Sequence, residues 1–255
     1  MIRQTLNDGI LTLVIDRPPV NAFSIGLLAE MKSLLDGVAE RPEVHVVVIR
    51  AEGRGFCAGG DVKEVQTLPG FEGILGQTVG STGSIAVARC AVPVICAVHG
   101  FCIGVGVLIV GLADIIVAAE GTRFVLAEID NGATAGGVQA LKMMPEKRAR
   151  LAMMTAQPIF AEELLGYGSI ASVVPLADLP AAAHAIAAAI AAKNPESMRR
   201  LKKSLNGVTG IEAMEMRYRS EISYTYELNI MGIASEGRSS FIEGSRAGYM
   251  KDGTE

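Results

Sequence analysis

Two glycine-rich loops, each following a run of mainly apolar residues, constrain this chain more than any other feature. The first loop, residues 53–61, follows the run 45–49, and the second, residues 99–106, follows the run 92–98. Continuous runs rich in valine and isoleucine are typical of strands buried on both faces of a parallel sheet. Ligands bind at the carboxyl ends of such strands, and glycine lets the backbone approach a ligand closely. The two loops therefore predict a binding site at one edge of a sheet.

Extended and helical patterns alternate around these loops, which predicts βαβ units in an α/β fold. Besides the two runs above, the predicted strands are 10–15, 115–118, 123–126 and 171–174. The predicted helices are 25–38, 62 onward, 74–89 and 104–112, then 145–155, 161–167, 176–193, 195–205 and 212–230. The sequence thus predicts an α/β core over residues 1–195, followed by a helical region over residues 196–255.

From the residues alone, the two loops have three interpretations. Each loop could point one backbone N–H at a substrate oxygen, as in an oxyanion hole. The second loop could bind a dinucleotide, although Ile109 stands where that motif requires a third glycine after Gly104 and Gly106. Both loops could also be tight turns that serve packing only.

Composition argues against several classes of protein. Lys and Arg number 23 against 27 Asp and Glu, a net charge of −4, which argues against nucleic-acid binding. An apolar content of 50% excludes a disordered chain. Residues 91–113 carry no charge apart from a possible one on His99, and they are long enough to span a bilayer. Because Pro93 and several glycines divide them, they predict buried core elements and no membrane span.

The four cysteines indicate a reducing environment rather than a metal site. They form no Cys-x-x-Cys pair, and no histidine stands at metal-ligand spacing from Cys57, Cys90, Cys96 or Cys102. We therefore predict buried free thiols and no metal. The first residues show a strand-like pattern rather than a secretory signal, which indicates a cytoplasmic protein.

Four segments carry a resemblance to a known family. They are residues 17–22, 56–64, 93–106 with 113–115, and 235–241. In this order they resemble the enoyl-CoA hydratase/isomerase (crotonase) superfamily, nearly from end to end. The resemblance implies a spiral of βαβ units with a helical C-terminal region, residues 196–255, through which the chains assemble as a homotrimer or a dimer of trimers. It also implies a coenzyme A thioester as substrate, without a further cofactor.

The resemblance also implies roles for particular residues. The backbone N–H groups of Ala58 and Val105 would form the oxyanion hole, and Glu128 would be the catalytic residue. Residues 58–62 would hold the adenine end of coenzyme A, with Ala22 near the pantetheine. The residues implied in binding the thioester are Ala22, Phe23, Cys57, Gly59, Gly60, Asp61, Val62 and Gly104, and the further polar candidates are Asp130 and Asn131.

Three of the acidic candidates also have a structural interpretation. Asp61 is predicted to cap the helix that it precedes, and Asp130 either caps a turn or stands beside Glu128. Glu128 follows the apolar residues 124–127, so burial is expected to raise its pKa toward neutrality. The alternative is that Glu128 forms an ion pair with Arg123.

The chain departs from the water-adding members of the superfamily, which use two glutamates. Leu108 stands at the position of the first glutamate, and Glu128 stands at that of the second. Because one carboxylate cannot easily both activate water and deliver a proton, simple hydration of a 2-enoyl thioester is not expected to be efficient.

Within the superfamily, residues 52–56, 92–101, 128–133 and 226–229 are similar to hydrolases of steroid-ring catabolism. Those enzymes cleave a carbon–carbon bond beside a ketone, and they too lack the first glutamate. Ring-opening hydrolysis and isomerisation of a bulky thioester share one enolate intermediate, so both remain open. The alternatives are an enoyl-CoA hydratase of fatty-acid-type substrates and, in another class, a non-catalytic acyl-CoA-binding protein.

The C-terminal helices carry apolar residues that are predicted to pack against a neighbouring subunit rather than remain exposed to water. These residues are Met214, Met216, Ile222, Ile230, Met231 and Phe241.

Overall fold

A six-stranded sheet and a three-stranded sheet organise the protein, whose computed structural model describes residues 1–68 and 83–245. The strands are β1 (Ile2–Asn7), β2 (Ile10–Ile15), β3 (Val46–Ala51), β4 (Val94–Val98), β5 (Phe101–Ile103), β6 (Ile115–Ala119), β7 (Arg123–Val125), β8 (Ile159–Phe160) and β9 (Ser172–Val174). The larger sheet has the order β1-β2-β3-β4-β6-β9 and is parallel from β2 onward. The smaller sheet has the order β5-β7-β8.

Helices cover both faces of the larger sheet and form the C-terminal region. They are α1 (Ile25–Asp36), α2 (Val62–Thr67), α3 (Val105–Val110), α4 (Gly137–Met143), α5 (Glu146–Thr155), α6 (Ala161–Gly166), α7 (Leu179–Ala191), α8 (Pro195–Thr209), α9 (Ile211–Ile230) and α10 (Ile233–Ile242). Residues 83–89 are also helical. Short 3-10 turns occupy Gly37–Glu40, Ile129–Asn131 and Leu176–Asp178.

The central strands β3 and β4 determine where the two glycine loops emerge. The two strands are parallel, with Val47 opposite Val94 and Ile49 opposite Cys96, and both are almost wholly buried. Because they run in the same direction, the loops after them leave the sheet at the same edge. One face of the larger sheet packs against α7, whose buried alanines allow the helix to approach the strands closely.

The predicted α/β fold is confirmed, and most predicted elements occur with ends shifted by a few residues. Residues 83–89 are helical, as predicted for the end of the segment 74–89, whereas residues 74–82 lie outside the described part of the chain. Two elements that position the site were not predicted. Strand β5 lies inside the second glycine loop because it pairs with β7, and α4 begins at glycines that disfavour helix.

The helical region packs closely on the α/β core. Met214 and Ile222 of α9 are buried in the main hydrophobic core, so the prediction that they face a neighbouring subunit is wrong. These two residues lie on the inner face of α9, where the core of the same chain already covers them. Met216, Ile230 and Met231 are exposed, as that prediction requires, and Phe241 is half-buried.

The uncharged segment 91–113 forms part of the core, as predicted. It contains the fully buried strand β4 and the helix α3, of which only Val105 is not buried. In the described part of the chain, no single helix is long and apolar enough to cross a bilayer. A pair that is bent by 105°, Leu176–Ala191 with Pro195–Thr209, meets the requirement by length and composition only.

Candidate active site

The two glycine loops run side by side, so the predicted convergence is confirmed. Cys57 and Cys102 form a parallel β-bridge between the loops. The N–H of Phe56 donates to the carbonyl of His99 (3.0 Å), and the N–H of Ile103 donates to that of Cys57 (2.9 Å). The approach is close enough that a Cβ on Gly106 would lie 2.8 Å from the Cβ of Cys57. Glycine is therefore required there by packing.

The backbone N–H groups of the two predicted oxyanion donors, Val105 and Ala58, differ in their hydrogen bonding. Val105 is the first residue of α3 and follows Gly104, whose φ is +51°. A first helical residue has no intrahelical acceptor for its N–H, so that of Val105 is suited to a substrate oxygen. The N–H of Ala58, in contrast, donates to the carbonyl of Val20 at 3.1 Å.

Glu128 follows β7 and reaches back to the second loop. A Cβ on Gly104 would lie 3.2 Å from its Oε1, whereas its Oε2 is buried without a hydrogen-bond partner. Burial raises the pKa of Glu128 from 4.5 to about 8, against an opposing effect of its own backbone N–H. An ion pair with Arg123 would instead lower this pKa, and the contacts described for Glu128 include no such pair.

A cleft of about 350 Å³ opens beside Glu128. Its lining is mainly apolar and consists of Leu126, Glu128, Ile129, Ala133, Thr134, Gly137, Leu141, Glu146, Ala149, Arg150, Met153 and Met154. Leu108 is buried close to the cleft. A Cβ on Gly136 would lie 3.3 Å from the side chain of Leu108 and 2.9 Å from that of Leu126, which lines the cleft. The position at which the water-adding members carry their first glutamate is therefore occupied by a buried apolar side chain.

The early loop is fastened to the first glycine loop by two polar residues. Arg17 donates to the carbonyl of Ala22 and forms an ion pair with Asp61, both at 2.6 Å. The side chain of Asn21 donates to the carbonyls of Glu52 (2.7 Å) and Gly55 (2.9 Å). The segment 17–22 marks Arg17 and Asn21 as part of one motif, but it does not predict their contacts with Glu52, Gly55 and Asp61.

Asp61 has the structural role that was predicted for it. Its carboxylate accepts the N–H of Glu64 at 3.2 Å and so caps α2. Partial burial opposes ionisation, but the hydrogen bonds from Arg17 and from the N–H of Glu64 outweigh it and lower the pKa of Asp61.

The other predicted binding residues lie along the first loop and its neighbours. Phe23 is 1% exposed, so only its backbone, bridged to Gly60, borders the site. Gly59 donates its N–H to the thiol of Cys57 at 3.3 Å. Burial raises the pKa of Cys57 to about 12, which agrees with a core residue and not a nucleophile. Val62 begins α2, directly after Asp61.

Asp130 and Asn131 lie in the turn Ile129–Asn131, immediately after Glu128. The side chain of Asn131 donates to the carbonyl of Ala127 at 3.2 Å, so this amide supports the turn. Both residues are half-buried. The described residues contain no group of three His, Cys, Asp or Glu side chains that could hold a metal ion.

The sequence does not predict the contacts that hold α4, which contributes Gly137 and Leu141 to the lining of the cleft. Glu221 of α9 accepts the N–H groups of Gly136 (3.1 Å) and Val138 (2.9 Å) and thereby caps α4. Thr225, one turn later, accepts the N–H of Thr134 at 3.0 Å. The spacing of these residues on one helical face was the only available signal, and it does not identify their partners.

Comparison with known proteins adds a family and two relatives. Residues 5–251 match the family described as Enoyl-CoA hydratase/isomerase. A relative from Rhodococcus jostii, named (7aS)-7a-methyl-1,5-dioxo-2,3,5,6,7,7a-hexahydro-1H-indene-carboxyl-CoA hydrolase, is 40% identical over 240 residues, which cover 94% of this chain and 93% of the relative. A relative of the same name from Mycobacterium tuberculosis is 36% identical over 242 residues, which cover 94% and 98%.

The fold has solved counterparts. The structure of an enoyl-CoA hydratase from Mycobacterium avium subsp. paratuberculosis matches with a TM-score of 0.81 at 26% identity, and the match covers 98% of each chain. The fold and the relatives are thus those that the sequence motifs predict.

Proposed function

We propose, from the premise that this chain belongs to the enoyl-CoA hydratase/isomerase family, that it opens a ring in a bulky coenzyme A thioester by hydrolysing a carbon–carbon bond beside a ketone. The observation that carries this proposal is a carboxylate with one buried oxygen, Glu128, beside the second glycine loop, while Leu108 fills the position of a second acid. The names of the two relatives describe hydrolases of a diketone thioester with an indene skeleton, which supports the same reaction class.

In the proposed reaction, ionised Glu128 removes a proton from water, and the oxygen of that water adds to the ketone carbon. The bond from this carbon to the α-carbon of the thioester breaks, and its electron pair forms the thioester enolate. Glu128 then returns its proton to the α-carbon. The net change is the addition of one water, which creates a carboxylic acid and a C–H bond.

The enolate oxygen would be stabilised by the N–H groups of Val105 and Ala58. Donors fixed at the place where charge develops are among the largest contributions to enzymatic rates. Val105 is suited to this role by its position at the start of α3. Ala58 can take part once its N–H leaves the carbonyl of Val20. The apolar cleft beside Glu128 would receive the ring skeleton.

Double-bond isomerisation is the second candidate, since it needs the same enolate and one base that moves a proton. Hydration of fatty-acid-type enoyl thioesters is less compatible with the site, because Leu108 supplies no acid. A non-catalytic acyl-CoA-binding role would not require a carboxyl group whose pKa is raised to about 8 by burial beside the second loop.

Product analysis separates these reactions. We expect the purified protein to convert the indene carboxyl thioester named for the relatives into a product that gains one water and shows a new carboxylate in the ¹³C NMR spectrum. Isomerisation would leave the mass unchanged, and hydration would add water without a carboxylate. We also expect crotonyl-CoA hydration to be slower than that of a dedicated family hydratase by about 10²-fold or more, because general acid catalysis is missing. Efficient crotonyl-CoA hydration would overturn the proposal.

Assembly into a trimer or a dimer of trimers is the second expectation. Met216, Ile230 and Met231 are exposed on and just after α9, and burying such surface yields roughly 25 cal/mol per Å². Because the family resemblance implies a trimer or a dimer of trimers, light scattering should report three or six chains per particle at micromolar concentration. A monomer under these conditions would contradict the proposed role of residues 196–255 in subunit contacts.

A further inference from the structure

Four buried side-chain atoms on three residues have no hydrogen-bond partner. They are Oε2 of Glu128, both polar atoms of the Gln139 amide and the hydroxyl of Tyr218. Among the described residues, Nη1 of Arg148 is the other atom in this state. Gln139 is 0% exposed and Tyr218 is 1% exposed. Because buried polar groups in proteins almost always have a partner, a group of unpaired atoms requires an explanation.

The fold brings these three side chains into one neighbourhood. Gln139 lies in the first turn of α4 and packs on Gly111, where a Cβ would be 2.8 Å from that of Gln139. Gly111 ends α3, the helix that begins at Val105. Tyr218 lies on α9 one turn before Glu221, whose carboxylate accepts the N–H groups of Gly136 and Val138 at the start of α4. Gly137, in the same turn, lines the cleft together with Glu128. Burial raises the pKa of Tyr218 and the charge of Glu128 raises it further, whereas the side chains of Ser84 and Gln139 act in the opposite direction.

The available atoms match the needs of a buried water molecule. Such a water typically makes two to four hydrogen bonds to polar groups. The Tyr218 hydroxyl can donate and accept, the Gln139 amide offers two donors and an acceptor, and an ionised Glu128 oxygen accepts. The side chains of Gln139 and Ser84 lie close enough to the Tyr218 hydroxyl to lower its pKa, but neither that hydroxyl nor the Gln139 amide makes a hydrogen bond of good geometry. A bridging oxygen therefore satisfies more of these atoms than direct pairing does.

We propose that Gln139 and Tyr218 hold a buried water against Oε2 of Glu128, and that this water orients the carboxylate toward the substrate. The proposal rests on the role of Glu128 as the base. Oε1 lies beside Gly104, at the loop that carries Val105. With Oε2 held from the protein side, Oε1 remains directed at the reacting carbon. Gln139 and Tyr218 are thus positioning residues that act through the water.

Other charged groups surround this region and must stay constant in any test. Glu146 and Arg150 line the cleft from α5, and Glu221 of α9 also raises the pKa of Tyr218. Asp130 is in the turn after Glu128, and Arg238 is on α10, which packs against that turn. A Tyr218→Phe substitution leaves all of these charges in place and keeps the aromatic ring.

The decisive measurement is the pH dependence of kcat/KM for Tyr218→Phe with the indene carboxyl thioester. Loss of a hydrogen bond to ionised Glu128 should move the apparent pKa of the base upward by about 0.5–1 pH unit. Tyr224→Phe is the matched control, since Tyr224 lies on the same helix and is 56% exposed. An unchanged or downward-shifted profile for Tyr218→Phe would overturn the proposal, because a purely structural tyrosine lowers the rate without moving the pKa.

A high-resolution crystal structure of the unaltered protein supplies a test that needs no variant. We expect an ordered water within about 3.2 Å of both the Tyr218 hydroxyl and Oε2 of Glu128, and its absence would overturn the proposal. Failure of this inference differs from failure of the proposed function. If Glu128→Gln abolishes turnover while Tyr218→Phe keeps the normal profile, only the positioning pair is wrong. If Glu128→Gln keeps full turnover, the base itself is misassigned.

Discussion

Replacing Glu128 by glutamine is expected to lower turnover by about 10²–10⁴-fold, the usual contribution of a general base. Glutamine keeps the size and shape of the side chain, so binding of the thioester should persist. Steady-state kinetics together with a direct binding measurement separate the two effects. Near-normal turnover of the variant would require another base, with Asp130 or Asp61 as the remaining candidates.

The pH dependence of the unaltered enzyme follows from the same residue. Burial raises the pKa of Glu128 to about 8, and a base acts only when it is ionised. The value of kcat/KM should therefore rise with pH until about pH 8 and level off above it. A rate that is constant between pH 6 and pH 9 would be inconsistent with this assignment.

The contribution of Glu128 to the free energy of unfolding should fall as the pH rises, whereas kcat/KM should rise. A stability measurement therefore separates effects on folding from effects on the reaction. The pKa of Glu128 is higher in the folded state than its ordinary value of 4.5, so the folded state binds this proton more tightly. Its contribution to the free energy of unfolding is complete below about pH 4.5 and is lost by roughly 1.4 kcal/mol per pH unit as the pH rises toward 8. Glu128→Gln lacks this loss, so its stability relative to the unaltered protein should improve as the pH rises.

Replacing Val105 by proline is expected to lower kcat by about 10²–10³-fold, the typical cost of losing one oxyanion donor. Proline is tolerated at the first position of a helix because the N–H that it lacks has no intrahelical acceptor. Gly104 before it has φ +51° and ψ −117°, outside the helical region that proline disfavours in the preceding residue. The change therefore removes the donor while preserving α3.

Val105→Ala is the matched control for this experiment, since it trims the side chain and retains the N–H. We expect its kcat to stay within a few-fold of normal, and thermal melting should show similar stability for both variants. Equal rates for the proline and alanine variants would show that the N–H of Val105 takes no part in the reaction.

The parts of the site that could be predicted from sequence are those built from local patterns. The runs before the two loops are continuous and apolar, and parallel strands place their following loops at one edge. The apolar residues before Glu128 likewise indicated that its carboxyl group is buried. In each instance the signal lay within about ten residues of the feature that it predicted.

Contacts between distant segments could not be predicted in this way. Helix α4 starts at glycines and is capped by Glu221, 85 residues after Gly136, so no local pattern indicates it. The burial of Gln139 and Tyr218 depends on how α9 packs against α4. Met214 and Ile222 were assigned to a subunit contact because their sequence spacing does not distinguish the core of one chain from the surface of a neighbour.

In the proposed mechanism, the hydrogen bond from Ala58 to Val20 gives the chain an internal competitor for the substrate. The carbonyl of Val20 occupies the N–H that we assign to the thioester oxygen, and it is tethered at a fixed, high effective concentration. A thioester must displace it, and the free energy for this comes from contacts elsewhere, such as those of the acyl group in the cleft. Small acyl groups make few such contacts, so they would lose rate as well as affinity. Selectivity for bulky substrates can thus arise in the oxyanion hole itself, without any steric exclusion of smaller ones.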